Sequence, residues 1–158
     1  MSDVRRTLLL LRRGDEVLLA MKKRGFGVGR WNGVGGKLDE GETVEQAMIR
    51  ECQEEIMVTP TNYQKIAELD FHGGSTEEAW NMYVHVYIST EWQGEPTETE
   101  EMAPKWYNIS EIPYEDMWDD DKYWMPQAFV GKSLKGHFTF DENDKLTGHE
   151  ITEVAPYV

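Results

Sequence analysis

Glu42, Glu51, Glu54 and Glu55, together with Arg50, fall within one segment, GKLDEGETVEQAMIRECQEEIMV, running from Gly36 to Val58. A helix beginning after Thr43 fits this stretch, because the Thr43 hydroxyl can cap it while Gln46 reaches back to complete a capping box. At 100° per residue Glu51 and Glu55 then fall one turn apart, inside the arc set by Val44, Ala47, Met48 and Cys52, with Glu54 at its edge. Carboxylates on a face that should be apolar need cations or large pKa shifts, since burying them uncompensated costs several kcal/mol. All-oxygen donors of this kind suit magnesium, manganese or calcium. The plain alternative is a solvated acidic face in an acidic protein. The Gly-rich approach Asn32-Gly33-Val34-Gly35-Gly36-Lys37 weighs against it, because glycines let backbone groups come close to an ion or a phosphate.

The spacing is Gly36, five residues, Glu42, seven residues, Arg50-Glu51, Cys52, one residue, then Glu54-Glu55. It resembles the Nudix box of nucleoside diphosphate-linked-moiety hydrolases. Two positions depart from that pattern. Cys52 stands where a larger aliphatic residue is usual, and Met57 replaces a customary glycine, so the helix is expected to run longer or to end with strain. The resemblance implies an α/β/α sandwich around a mixed β-sheet, with residues 1–158 forming a single Nudix hydrolase domain. It also implies a metal set of Glu51, Glu54, Glu55 and the Gly35 carbonyl, with Glu101, or alternatively Glu100, joining from a separate loop. Mg2+ is the expected cofactor and Mn2+ the alternative. Arg50 would orient the glutamates through charge-assisted hydrogen bonds. The implied reaction is attack of water on a phosphorus of a triphosphate chain, releasing nucleoside monophosphate and pyrophosphate. Glu54 and Glu51 both remain candidates for the general base.

Three further segments, Lys22 to Gly27, Gly29 to Gly33 and Met117 to Trp124, resemble one branch of that family, the animal-type MutT homologues that hydrolyse oxidised purine triphosphates such as 8-oxo-dGTP. By that resemblance Thr7, Lys22, Phe26, Asn32, Phe71, Met82, Trp118, Asp120, Asp121 and Trp124 bind substrate. Val34, Gly35, Gly36 and Lys37 join them from the Gly-rich loop. Asn32 is expected on the purine edge and Lys22 near sugar and phosphates. Asp120 and Asp121 match the base-reading pair, while Asp119 stands where a proline is usual. Adjacent carboxyls in an apolar pocket cannot both ionise cheaply, so one should keep its proton and donate while the other accepts. An exposed acidic loop with core tryptophans is the competing structure. Competing functions are Nudix hydrolysis of other nucleoside triphosphates or nucleoside diphosphate derivatives, a non-catalytic nucleotide-binding module, and a calcium-binding interaction protein. The last lacks the alternating twelve-residue loop of an EF-hand.

These residues must be held by elements the rest of the chain supplies. Val4 to Leu11 and Glu16 to Met21 read as strands joined at Arg13-Gly14-Asp15. Ile66 to Phe71, Trp80 to Ser89 and Trp106 to Asn108 read as further strands. Tyr123 to Val130 reads as a second helix with Pro126 near its first turn. His137 to Phe140 and Glu150 to Val154 should close as a hairpin around Asp141 to Gly148. With 158 residues, 39% of them hydrophobic, the chain can bury one sizeable core. A net charge of −14 argues against a nucleic acid polymer as partner. A single nucleotide remains allowed, met by Lys22, Lys23, Arg24, Arg30 and Lys37. Cys52, the single cysteine, can form no intrachain disulfide and should pack in the core. His72, His85, His137 and His149 are widely spaced and make no zinc motif. Leu8 to Leu11 is too short for a signal-peptide core or a membrane span. A cytoplasmic monomer without membrane contact is the expectation.

Overall fold

A computed structural model describes residues 4–25, 27–74 and 81–158. In chain order the elements are β1 (Val4–Arg13), β2 (Glu16–Lys22), β3 (Trp31–Asn32), α1 (Val44–Ile56), β4 (Thr59–Gly73), β5 (Met82–Gln93), β6 (Met102–Asn108), α2 (Asp121–Phe129), β7 (Ser133–Phe140) and β8 (Leu146–Val154). The strands form one mixed sheet in the order β3-β2-β1-β5-β4-β7-β8, with β6 on the other edge of β2. β1 runs parallel to β5 and β4 parallel to β7, while β4–β5 and β7–β8 are antiparallel.

Strand alternation sorts the apolar residues onto two faces. Leu10, Val17, Leu19, Val84 and Val86 join Trp124, Met125, Ala128 and Phe129 of α2 in one core. Leu9, Leu11, Leu18, Ala20 and Tyr87 join Met48, Cys52 and Ile56 of α1 in the other. The helices therefore cover opposite faces, giving the expected sandwich around a mixed sheet. Cys52 is a buried packing residue, and burial pushes its thiol up to about 12.

The sheet opens where the site will lie. β1 and β2 pair only near their turn, at Arg12 with Val17 and Arg13 with Glu16. Beyond that β3 takes β1's place beside Ala20 and Met21. The Gly-rich loop occupies the freed edge of β1. Thr7 N–H donates to Gly36 O at 2.9 Å, Leu9 N–H to Val34 O at 2.6 Å and Leu38 N–H to Arg5 O at 3.2 Å.

α1 begins as its sequence requires. Thr43 accepts from Gln46 N–H and Gln46 from Thr43 N–H, completing the capping box. The helix ends on time but with strain, because Met57 takes the left-handed conformation, φ 63°, that a glycine would adopt freely. Several strands are longer than expected. β4 starts at Thr59 rather than Ile66, β6 at Met102 rather than Trp106, and β5 extends to Gln93. Trp80, expected to begin β5, lies outside the described residues. In α2, which starts at Asp121 rather than Tyr123, Pro126 falls in the second turn instead of the first. The Lys122 carbonyl thus lacks an i+4 amide donor, which is tolerable on an exposed edge. Among the described residues no helix is long and apolar enough to cross a membrane.

Candidate active site

The gap between β1 and β2 is the mouth of a cavity of about 840 Å³, open solvent at its entrance included. Its walls come from both halves of the chain, and its two ends differ in chemistry.

At one end the Gly-rich loop meets α1. Glu55, only 4% exposed, accepts from Gly35 N–H at 2.8 Å. Burial pushes its carboxyl up to about 8, helped by the charges of Glu51 and Glu101 and opposed by the Gly35 hydrogen bond and Lys22. Glu51 is raised too, first by burial and then by neighbouring Glu54, against Arg50. Two glycines make this crowding possible. A Cβ on Gly35 would stand 1.9 Å from the Thr7 carbonyl oxygen, and one on Gly36 would stand 1.9 Å from Glu51 Oε2. Arg50 ties the cluster together. Its Nε and Nη2 donate to the two Glu42 oxygens at 2.7 and 2.9 Å, Nη2 also reaches Lys37 O at 3.1 Å, and Nη1 spans Glu51 and Glu54 at 3.2 Å each. The hydrogen bonds from Arg50 and from the Asp39 amide hold Glu42 down at about 2. Glu54 is exposed. Glu101 lies close enough to raise Glu55, and its carboxylate stands 3.7 Å from Arg24.

These residues fit a divalent ion. Glu51 and Glu55 are crowded oxygen donors whose charge burial disfavours, and a cation is what would let both ionise.

Three cations, Arg6, Lys22 and Arg30, line the same wall. Burial lowers Lys22, with Arg6 adding to the effect and Glu55, Glu101 and Glu51 opposing it. Arg30 lies 3.9 Å over the Trp118 ring.

The far end is aromatic and holds two buried acids. Asp120 and Asp121, each 3% exposed, stand at the N-terminus of α2. Asp120 leaves the helix amides uncapped and instead accepts from Trp124 Nε1–H at 2.9 Å. Burial raises both acids, and Asp121 rises further because the Asp120 charge faces it. Two such carboxyls side by side cannot both ionise cheaply, so the pair favours keeping a proton. Asp121 Oδ2 and Thr7 Oγ1 are buried with no hydrogen-bond partner.

Of the residues the sequence pointed to, Thr7, Lys22, Asn32, Gly35, Gly36, Phe71, Met82, Trp118, Asp120, Asp121 and Trp124 all line this one cavity. Asn32 also uses its Oδ1 on Gly33 N–H at 2.8 Å. Val34, Lys37 and the glutamates Glu51, Glu54, Glu55 and Glu101 are not in the wall; Glu55 and Glu51 adjoin it behind Gly35 and Gly36. Val34 packs into the core under α1, because alternation along the loop turns it away from the cavity. The Lys37 side chain is exposed, and its carbonyl is what Arg50 uses. Phe26 lies outside the described residues. Asp119, beside the buried pair, accepts from Leu146 N–H at 3.1 Å and so tethers this loop to β8. Sequence reasoning missed Arg6, Leu8, Leu69, Val84 and Met102 as wall residues. Alternation along β1 could have found Arg6, since it shares a face with Leu8 and Leu10.

Comparison with known proteins decides the family, because the NUDIX domain model matches residues 1–128. The chain belongs to the NUDIX family. Two relatives span nearly its whole length. One is an "oxidized purine nucleoside triphosphate hydrolase" of Mus musculus, 42% identical, with 96% of each chain covered. The other carries the same name in Danio rerio, at 44% identity with 94% of each covered. Among solved structures, a MutT protein from Bacillus halodurans shares the NUDIX fold with a TM-score of 0.80 at 24% identity, covering 94% of this chain and 97% of that one. NUDIX hydrolases act on small nucleotide substrates and generally need a divalent ion such as Mg2+.

Proposed function

We propose that this protein hydrolyses oxidised purine nucleoside triphosphates, of the 8-oxo-dGTP type, to the nucleoside monophosphate and pyrophosphate. The observation that carries this reading is the buried Asp120–Asp121 pair at the aromatic end of the cavity, whose carboxyls burial and mutual charge both push towards the protonated form. A guanine edge offers an acceptor oxygen beside N–H donors, which such a pair complements. Moving the proton between the two carboxyls lets the same pocket take a second oxidised purine with the opposite donor order. Trp118, Phe71 and Met82 supply apolar surface for the ring. The names of the mouse and zebrafish relatives support the substrate class.

At the acidic end Glu51, Glu54, Glu55 and the Gly35 carbonyl would hold Mg2+, or Mn2+, with Glu101 contributing from β6's approach. When bound, the ion neutralises the phosphate chain and lowers the pKa of the attacking water. Arg50 holds Glu42, Glu51 and Glu54 in fixed relative positions, so little reorganisation is left for the moment of reaction. Lys22, Arg6 and Arg30 line the same cavity, where a triphosphate joined to a base in the aromatic pocket would pass. Glu51 or Glu54 takes the proton of the attacking water. Residues 1–158 act as one NUDIX domain, working as a cytoplasmic monomer on the free nucleotide pool.

The test is a panel of 8-oxo-dGTP, dGTP, ADP-ribose and a dinucleoside polyphosphate with Mg2+, followed by release of pyrophosphate or phosphate. Preference for 8-oxo-dGTP over dGTP, with pyrophosphate as product, is expected. Equal rates on both purines, or preference for ADP-ribose, refutes the reading. Asp120→Asn and Asp121→Asn should narrow the 8-oxo-dGTP preference by at least tenfold, about 1.4 kcal/mol, while leaving Mg2+ binding in place.

A further inference from the structure

On the sheet face opposite the cavity, β4 and β7 bring together three side chains that the hydrolytic reading does not use. Asp70 and His72 flank Phe71, so alternation turns them away from the pocket that Phe71 lines. The parallel register places His137 of β7 directly beside Asp70. His137 Nδ1 lies 3.1 Å from Asp70 Oδ2, and His72 Nε2 lies 2.7 Å from Asp70 Oδ1. One ligand atom from each residue falls within 4.8 Å of the others.

Two details go beyond proximity. Asp70 Oδ1 is buried and has no hydrogen-bond partner even though the His72 nitrogen is so close, because the approach does not have hydrogen-bond geometry. The other nitrogen of His72, Nδ1, stands 3.2 Å from Asn81 Oδ1. An Nδ1–H donated to Asn81 leaves the Nε2 lone pair free to ligate, beside a carboxylate oxygen that has no donor of its own. A cation held beside both would satisfy the Nε2 lone pair and the unpartnered Asp70 oxygen together. Metal-bound histidines are oriented in this way, by a hydrogen bond from the nitrogen that does not ligate.

We propose that Asp70, His72 and His137 form a second divalent-metal site, distinct from the glutamate cluster and selective for a borderline ion of the zinc type. Two imidazoles and one carboxylate match three-ligand zinc sites that leave a further position for water. Nitrogen donors disfavour magnesium and calcium, so the two sites sort ions by donor type. The histidines are open to solvent, with side-chain exposures of 30% for His72 and 54% for His137, and the chain's net charge of −14 draws cations to it. An ion here clips β4 to β7 directly behind Phe71 and Phe138, whose rings stack at 5.2 Å.

The experiment is equilibrium dialysis of the full chain against Zn2+ in the presence of excess Mg2+, with bound zinc measured by elemental analysis. Wild type should retain zinc that Mg2+ does not displace. His137→Asn and His72→Gln should weaken its binding by more than the roughly 10–100-fold that loss of an outer-shell partner costs a metal site. The ring-proton NMR signals of His72 and His137 should move on adding Zn2+ while that of His149 stays. Mg2+-dependent hydrolysis by His137→Asn should match wild type. The exposed position of His137 makes that variant safe for folding. Equal zinc retention by wild type and both variants overturns the proposal, as does zinc fully displaced by Mg2+ or unmoved His72 and His137 signals. None of these outcomes bears on the substrate panel.

Discussion

Replacing Glu55 with glutamine separates what this residue does to the fold from what it does to metal. In the folded, metal-free chain its carboxyl keeps a proton up to about 8, whereas an ordinary glutamate releases it near 4.5. Between those values the folded state binds the extra proton, so metal-free stability falls as pH rises across the window. At about 1.4 kcal/mol per pKa unit the full rise corresponds to an upper bound of roughly 5 kcal/mol. Glutamine carries no charge and keeps an acceptor for Gly35 N–H, but its NH2 group needs a partner, which offsets about 1–3 kcal/mol. Metal-free Glu55→Gln should therefore be more stable than wild type by roughly 2–4 kcal/mol at about pH 9, and less stable by up to roughly 2 kcal/mol at about pH 5, where the offset outweighs the small loss in wild type. Urea unfolding with a chelator present, repeated across that range, measures this. Adding Mg2+ should reverse the order at about pH 9, because wild type gains about 4.1 kcal/mol at 1,000 times its Kd while the variant gains little. Parallel pH dependences for the two proteins without metal would show that Glu55 does not hold its proton in the fold.

Four further substitutions test other parts of the fold and the site. Gly35→Ala drives a Cβ into the Thr7 backbone and should destabilise the fold by several kcal/mol, seen as a large drop in Tm, whereas Gly36→Ala meets only the movable end of Glu51. Gly36→Ala should fold nearly normally yet lose roughly 10²-fold in kcat/KM through a misplaced carboxylate; normal activity would show that Glu51 need not sit where it does. Met57→Gly relieves a left-handed backbone on a residue 62% exposed, and should raise stability by about 1 kcal/mol, or roughly 2–4 °C in Tm, with activity unchanged. Arg50→Lys keeps the charge but cannot bridge Glu42, Glu51, Glu54 and the Lys37 carbonyl together, so Mg2+ titrations of activity should shift to higher concentration and kcat should fall at least tenfold.

Local chemistry was the legible part of the chain. Thr43 and Gln46 announced the start of α1 because a capping box is written within four residues. The strained end was equally visible as Met57 in a glycine's place. Strand lengths were harder. Pro60 and the polar run through Lys65 hid the first half of β4, where irregular pairing with β5 breaks the alternation a reader looks for. The divergence of β1 from β2 could not be read at all, since it depends on β3 and the Gly-rich loop competing for the same edges. Alternation along β1 puts Arg6 on the face of Leu8 and Leu10, but that the face lines a cavity follows only from the gap beside it. The histidines make the same point more sharply. His72 and His137 are far apart in sequence, and only the parallel pairing of β4 with β7 sets them on one carboxylate.

The edge of β1 that β2 abandons has a consequence for how such a molecule can change. Since the Gly-rich loop is fastened there by backbone hydrogen bonds, the acidic end owes its shape to main-chain geometry and to α1. The purine-facing end is assembled from side chains of β4, β5 and the Trp118–Trp124 segment, and the backbone hydrogen bonds that fasten the loop come from none of these. Substitutions at Phe71, Met82, Trp118 or the two aspartates can thus redraw which base is admitted while the bond-cleaving machinery stays as it is, and a lineage could trade one damaged nucleotide for another without relearning hydrolysis.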